Sequence, residues 1–195
     1  MKKIFLLINV LNLLSILISC DVNFININNN CYFKKDIEFL KSFIKSSQFG
    51  KNPPPKKISP IDLGYQIWED GRLIEFCSSP SVNTKCRVDY ILSGIIPLEI
   101  KNATKLKKIS LESNNLIGNI PKEIGALTSL KELSLSSNNI SGNIPDEIGA
   151  LISLEHLALN SNSLSGPLPL GFEKLDNLRW VYLASNFLSG AIPFN

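Results

Sequence analysis

His156 is the one histidine in the 195-residue chain. It stands between Glu155 and Leu157, with no second imidazole to share a metal. The sequence holds no G-x-S-x-G elbow, no phosphate-cradling glycine loop and no Cys/His set at zinc-ligand spacing. Glu123, Asp146 and Glu147 fall in segments of helical character and read as solvated turn residues, not as an acid/base pair. No metal or cofactor is expected, and the chain reads as a non-enzyme. What the spacing offers is recognition. Lys108, Glu132, His156 and Trp180 recur every 24 residues. Two positions on stand Ser110, Ser134, Ala158 and Tyr182, then Glu112, Ser136, Asn160 and Ala184. The candidate ligand-binding residues are Lys108, Glu132, His156, Trp180 and Tyr182. Tryptophan and tyrosine are enriched among residues that dominate binding energy. Here they either anchor a ligand or shield the last coil of the chain, and the sequence leaves both readings open.

The elements that position these columns follow from the same period. Asn114, Asn138, Asn162 and Asn186 are 24 apart, as are Gly94, Gly118, Gly142, Gly166 and Gly190, and Pro97, Pro121, Pro145, Pro169 and Pro193. Ile109-Ser-Leu111 alternates as a short strand with one face inward. Strands from successive units can stack in parallel. The asparagine sits where the chain leaves the strand. An inward amide there pairs backbone groups of the turn and the neighbouring unit that would otherwise be orphaned. Glycine suits a positive φ or a close approach. The proline that follows starts a short helical turn or extended segment, where a missing N–H does no harm. These columns are scaffold.

A 24-residue unit written L-x-x-L-x-L-x-x-N-x-L resembles the leucine-rich repeat. Asn138-Asn-Ile-Ser-Gly-Asn-Ile-Pro-Asp-Glu-Ile-Gly-Ala-Leu151 is similar to its plant-type form, N-x-L-S-G-x-I-P-x-x-L-G-x-L. That form is found in plant receptor-like-kinase ectodomains, polygalacturonase-inhibiting proteins and related secreted proteins of other eukaryotes. The resemblance implies an α/β solenoid: a right-handed leucine-rich-repeat superhelix with short parallel strands on the concave face and an N-terminal helical cap. Five strands about 4.8 Å apart would make a sheet roughly 20 Å wide. The resemblance further implies a secreted or cell-surface module that binds a protein or peptide. The alternatives are an inhibitor of an extracellular polysaccharide hydrolase, or a truncated receptor ectodomain without independent activity.

The chain divides at about residues 1–20, 21–30, 31–87 and 88–195. Residues 1–20, with Met-Lys-Lys ahead of an apolar stretch, read as a signal peptide. Residues 21–30 are Asn-rich and read as disordered or loosely attached. Residues 31–87 read as the N-terminal cap. Within it, Cys31 to Ser47 reads as a helix with Ile37, Leu40, Phe43 and Ile44 on one face, ended by Gly50. The run Lys51–Lys57 is a solvated linker, its three prolines incompatible with helix. Ile61 to Cys86 reads as an irregular stretch in which Trp68 plugs the apolar edge of the first coil. The cap resembles the family's plan, although it lacks the W-x-G-V-x-C wording and offers three cysteines where four are common. From Val88 a degenerate unit with Leu92, Gly94 and Pro97 leads into units starting at Leu106, Leu130, Leu154 and Leu178.

A secreted chain pairs its cysteines. Cys77 and Cys86 are close enough in sequence to form a disulfide, whereas Cys31 needs a partner. Cys20 serves only if cleavage falls before it. Leu-Ile-Ser-Cys20 also resembles a lipobox, so membrane association is expected only if the N-terminal segment is retained or Cys20 is lipidated. Removing Lys2 and Lys3 lowers the formal charge from +3 to +1, which gives no electrostatic footprint for nucleic acid. The expected location is extracellular or the cell surface. Asn102-Ala-Thr104 and Asn139-Ile-Ser141 are glycosylation sequons. In a glycosylating host, enzymatic deglycosylation should lower the intact mass, and Asn102→Gln and Asn139→Gln should each remove one glycan. An unchanged mass would refute that expectation.

Overall fold

The computed structural model describes residues 20–80 and 86–192. The leader as far as residue 19, and Pro193 of the proline column, lie outside the described residues. The Asn-rich segment is ordered, contrary to expectation. Strand β1 (Phe24–Ile27) pairs antiparallel with β2 (Asn30–Phe33). Asn28 and Asn29 take φ of 51° and 64° at the turn between them. Asparagine tolerates this left-handed region, and a two-residue hairpin of the I′ kind needs it twice in succession. The asparagines are thus turn chemistry, not low complexity. A Cys20–Cys31 disulfide ties the hairpin back, with 5.6 Å between Cα atoms. Cys31 therefore has the partner that the sequence left open. Because residues 31–33 belong to this hairpin, helix α1 (Lys34–Ser47) starts three residues later than expected.

Helix α1 buries Ile37, Phe39, Leu40, Phe43 and Ile44. Phe39 and Phe43 meet Phe76 with ring centroids 6.0 and 5.7 Å away. The same face carries one charge, Asp36, which is fully buried. Its carboxylate accepts from Arg72 Nε at 2.8 Å, Arg72 Nη2 at 3.3 Å and the Leu73 N–H at 2.9 Å. A buried carboxylate is tolerable only when paired this fully. At the far end of the helix, Ser47 Oγ accepts the Ser93 N–H at 3.1 Å, and Ser93 Oγ donates to the Ser47 carbonyl at 3.0 Å. The helix is bolted to the solenoid at both ends.

The stretch expected to be irregular is a second hairpin. Strand β3 (Tyr65–Glu69) pairs antiparallel with β4 (Arg72–Cys77) across Asp70-Gly71, whose φ values are 49° and 72°. Asp-Gly is a strong signal for such a turn. Trp68 is half-buried on this hairpin, its indole N–H donating to Gln66 Oε1 at 2.9 Å and its ring edge-on to Tyr32 at 4.8 Å. Cys77 and Cys86 form the second disulfide, Cα atoms 5.2 Å apart. The degenerate unit contributes a single strand, β5 (Ser93–Gly94), which lies outside the concave sheet.

Each repeat then supplies two strands, followed in the units from Leu106, Leu130 and Leu154 by a turn of 3-10 helix. The first strands are β6 (Lys108–Ser110), β8 (Glu132–Ser134), β10 (His156–Ala158) and β12 (Trp180–Tyr182); the second are β7 (Asn115–Gly118), β9 (Asn139–Gly142), β11 (Ser163–Pro167) and β13 (Phe187–Ser189). The concave sheet runs β3-β4-β6-β8-β10-β12. It has six strands where five were expected, because the degenerate unit adds none and the β3–β4 hairpin adds two, β4 joining β6 in parallel with Glu75 opposite Lys108. The second sheet, β5-β7-β9-β11-β13, faces away from it and is parallel throughout. The 3-10 turns on the back begin directly after Pro97, Pro121, Pro145 and Pro169. The glycines between strand and proline have φ from 74° to 82° across Gly94, Gly118, Gly142, Gly166 and Gly190. At Gly149 in the back turns, a Cβ would lie 2.5 Å from the Gly171 carbonyl oxygen. A column the sequence did not reveal, Ser113, Ser137, Ser161 and Ser185, also has positive φ, 55–57°.

The asparagine column joins the coils. Asn138 Oδ1 accepts the Leu116 N–H at 3.0 Å, and its Nδ2 donates to the carbonyls of Leu111 at 2.9 Å and Leu135 at 3.0 Å. Asn162 and Asn186 repeat the pattern one and two coils on. Asn114 Oδ1 accepts the Leu92 N–H, and its Nδ2 donates to the Ser78 carbonyl. Asn138 is buried, whereas Asn186 is half-buried. Asn138→Ala should therefore cost about 1–3 kcal/mol in urea unfolding, and Asn186→Ala less. A larger loss at Asn186 would contradict the burial argument.

Candidate binding face

Strand register fixes which side chains meet on the concave face. The first outward column is Glu75, Lys108, Glu132, His156 and Trp180, each opposite the next. Lys108 Nζ reaches Glu132 Oε2 at 2.6 Å, so these two candidates are spent largely on one another. His156 and Trp180 stack with centroids 4.2 Å apart and planes 20° from parallel. The second column begins at Cys77 and passes through Ser110, Ser134 and Ala158 to Tyr182. It is floored by small side chains until Tyr182 rises at its end.

That step from small to large leaves a cavity of about 230 Å³, walled by Glu112, Glu132, Ser134, His156, Ala158 and Tyr182. The structure thus unites three of the five candidates, Glu132, His156 and Tyr182, around one space. Lys108 stands behind Glu132, and Trp180 backs His156. Glu112 and Ser134 were missed as candidates. Ser134 Oγ donates to Glu112 Oε1 at 2.9 Å, and Ser110 Oγ does so at 3.4 Å. Both serines and Glu112 stand in columns visible in the sequence. What the sequence lacked was the lateral reach that carries Glu112 across to the neighbouring strand.

Trp180 is 44% exposed and Tyr182 54%. Val181 between them, on the opposite face, is itself exposed, as are Phe187 and Ile192. Of the sequon asparagines, Asn102 closes the turn Leu98–Asn102 and Asn139 opens β9 in the second sheet. Neither lies on the concave face. Among the described residues no group of His, Cys, Asp and Glu could hold a metal ion.

Comparison with known proteins agrees with this architecture. The family model described as leucine rich repeat matches residues 104–164. A chain of the BIR3–SERK2 complex from Arabidopsis thaliana is 31% identical, with a TM-score of 0.63, over 82% of this chain and 85% of that one. The PEPR1–AtPEP1 structure aligns over 83% of this chain at 29% identity and a TM-score of 0.70. The plant peptide hormone receptor RGFR1, in complex with RGF2, is 30% identical over 64% of this chain, with a TM-score of 0.54. The chain spans 22% of the PEPR1 chain and 18% of the RGFR1 chain. A search of curated proteins gives no match.

On the rim of the face, Lys131 Nζ donates to Glu155 Oε1 at 3.0 Å. That hydrogen bond, then the Lys131 charge, holds the Glu155 carboxyl below its ordinary range. A depressed carboxylate adds stability that is fully present above the unfolded value and is lost as pH falls through the folded one. Lys131→Met should raise the Glu155 titration midpoint, read by carboxyl-carbon NMR, toward the ordinary value. An unmoved midpoint would assign the shift elsewhere.

Proposed function

The chain belongs to the leucine-rich-repeat proteins, and from that premise we propose that it is a secreted or cell-surface module that binds an extended peptide or a partner's loop on its concave face. The observation that carries this reading is the exposed pair Trp180 and Tyr182 beside the cavity at His156. Rigid aromatics at the edge of a concave polar site supply large contact area at little entropic cost, which is why they dominate binding energy elsewhere. Six strands about 4.8 Å apart span roughly 24 Å, room for an extended segment of about seven residues. The complexed relatives, RGFR1 with RGF2 among them, lend support to a peptide or protein ligand.

The two disulfides support passage through an oxidising compartment. The Cys20–Cys31 bridge supports a leader cleaved before Cys20 over lipidation of that thiol. No helix among the described residues is long and apolar enough to cross a membrane.

Selection of a displayed random dodecapeptide library on the immobilised protein tests the reading. Peptides enriched on the wild type should lose at least about 30-fold in affinity for the Trp180→Ala, Tyr182→Ala double variant, as removal of a binding hot spot does. Equal binding to both proteins would refute the concave-face assignment.

A further inference from the structure

The cavity on the concave face has unbalanced charge. Of its two carboxylates, Glu132 is met by Lys108 at 2.6 Å. Glu112 is met only by hydroxyls, Ser134 Oγ at 2.9 Å and Ser110 Oγ at 3.4 Å, and both bonds fall on Oε1. Its Oε2 has no protein donor among the described residues. A half-buried carboxylate held in place by neutral donors is a fixed negative charge waiting on a cation. Such charge-assisted hydrogen bonds are roughly twice as strong as neutral ones.

The remaining walls select among cations. Ser134 and Ala158 form a floor of small side chains, which gives the space its depth. His156 is locked in its stack against Trp180 and forms a flat, rigid side. Tyr182, more than half exposed, is a second aromatic wall. A planar, weakly hydrated guanidinium suits such a slot. It can lie against aromatic faces while offering paired N–H donors to a carboxylate, whereas an ammonium is compact and strongly hydrated.

We infer that the cavity takes an arginine side chain of the bound peptide, with Glu112 as its counter-ion and Tyr182 as its aromatic contact. This inference rests on the concave-face reading and narrows it to a ligand of stated chemistry.

The same dodecapeptide selection supplies the test. Enriched peptides should share an arginine at one position. Replacing it with citrulline, which keeps shape and removes charge, should weaken binding to the wild-type protein at least about tenfold, and lysine should weaken it less. Glu112→Gln should reproduce the citrulline loss with no further penalty when the two are combined, while Glu123→Gln on the back turn should change nothing. The citrulline arm uses wild-type protein, so it decides the matter even if Glu112→Gln folds poorly. Peptides that need Trp180 and Tyr182 but carry no recurrent arginine, or that tolerate citrulline, would overturn the inference and leave the concave-face reading standing. Peptides indifferent to Trp180 and Tyr182 would overturn both.

Discussion

Strands of three residues cannot satisfy a chain that turns back on itself every few residues, and the asparagine column supplies what they lack. As the backbone leaves each concave strand, it passes through the left-handed serine and exposes carbonyls to the interior. The asparagine amide donates to these, and its oxygen takes the N–H of the preceding coil, 22 residues earlier in the chain at Leu116, Ile140 and Leu164. Each buried backbone group left unpaired would cost about 1–3 kcal/mol, enough to offset the burial of a neighbouring leucine. The spacing of strands, turns and prolines all follows from keeping that amide within reach. The coils can stack because each closes the open valences of the one before it.

The ladder also explains the design of the cap. The first rung, Asn114, must find its partners where no regular coil exists, and it accepts the Leu92 N–H and donates to the Ser78 carbonyl. Strand β4 and the degenerate unit together act as the missing coil, one giving the concave strand and the other the second-sheet strand. Asp36 and Arg72 fasten this composite to helix α1, and the Cys77–Cys86 disulfide ties the end of β4 to the segment that leads into the degenerate unit. The cap thus continues the sheet as well as covering its edge.

The periodic part of the molecule was legible in the sequence because repetition multiplies a weak signal. Strands three residues long would be invisible once, but Lys108, Glu132, His156 and Trp180 announce them four times over. The cap was legible only in part. Phe76 stands 33 residues before Ile109, its partner in the sheet, so a search at a period of 24 passes over β4. Asn28-Asn29 and Asp70-Gly71 carried turn chemistry that composition obscured. At the face itself, the columns could be written down from the sequence, yet the cavity could not. It depends on Glu112 leaning toward Ser134 and on His156 stacking against Trp180, and both are tertiary facts.

Gly149 and Gly171 on the back of the solenoid meet so closely that a single added carbon would strike backbone. Successive turns there are separated by little more than the thickness of the main chain, comparable to the spacing of hydrogen-bonded strands at the front. When front and back advance by similar steps, an array bends gently. Bulkier residues at those two glycines would wedge the back apart and tighten the arc. The curvature of the concave sheet is therefore set by the turns on the opposite side.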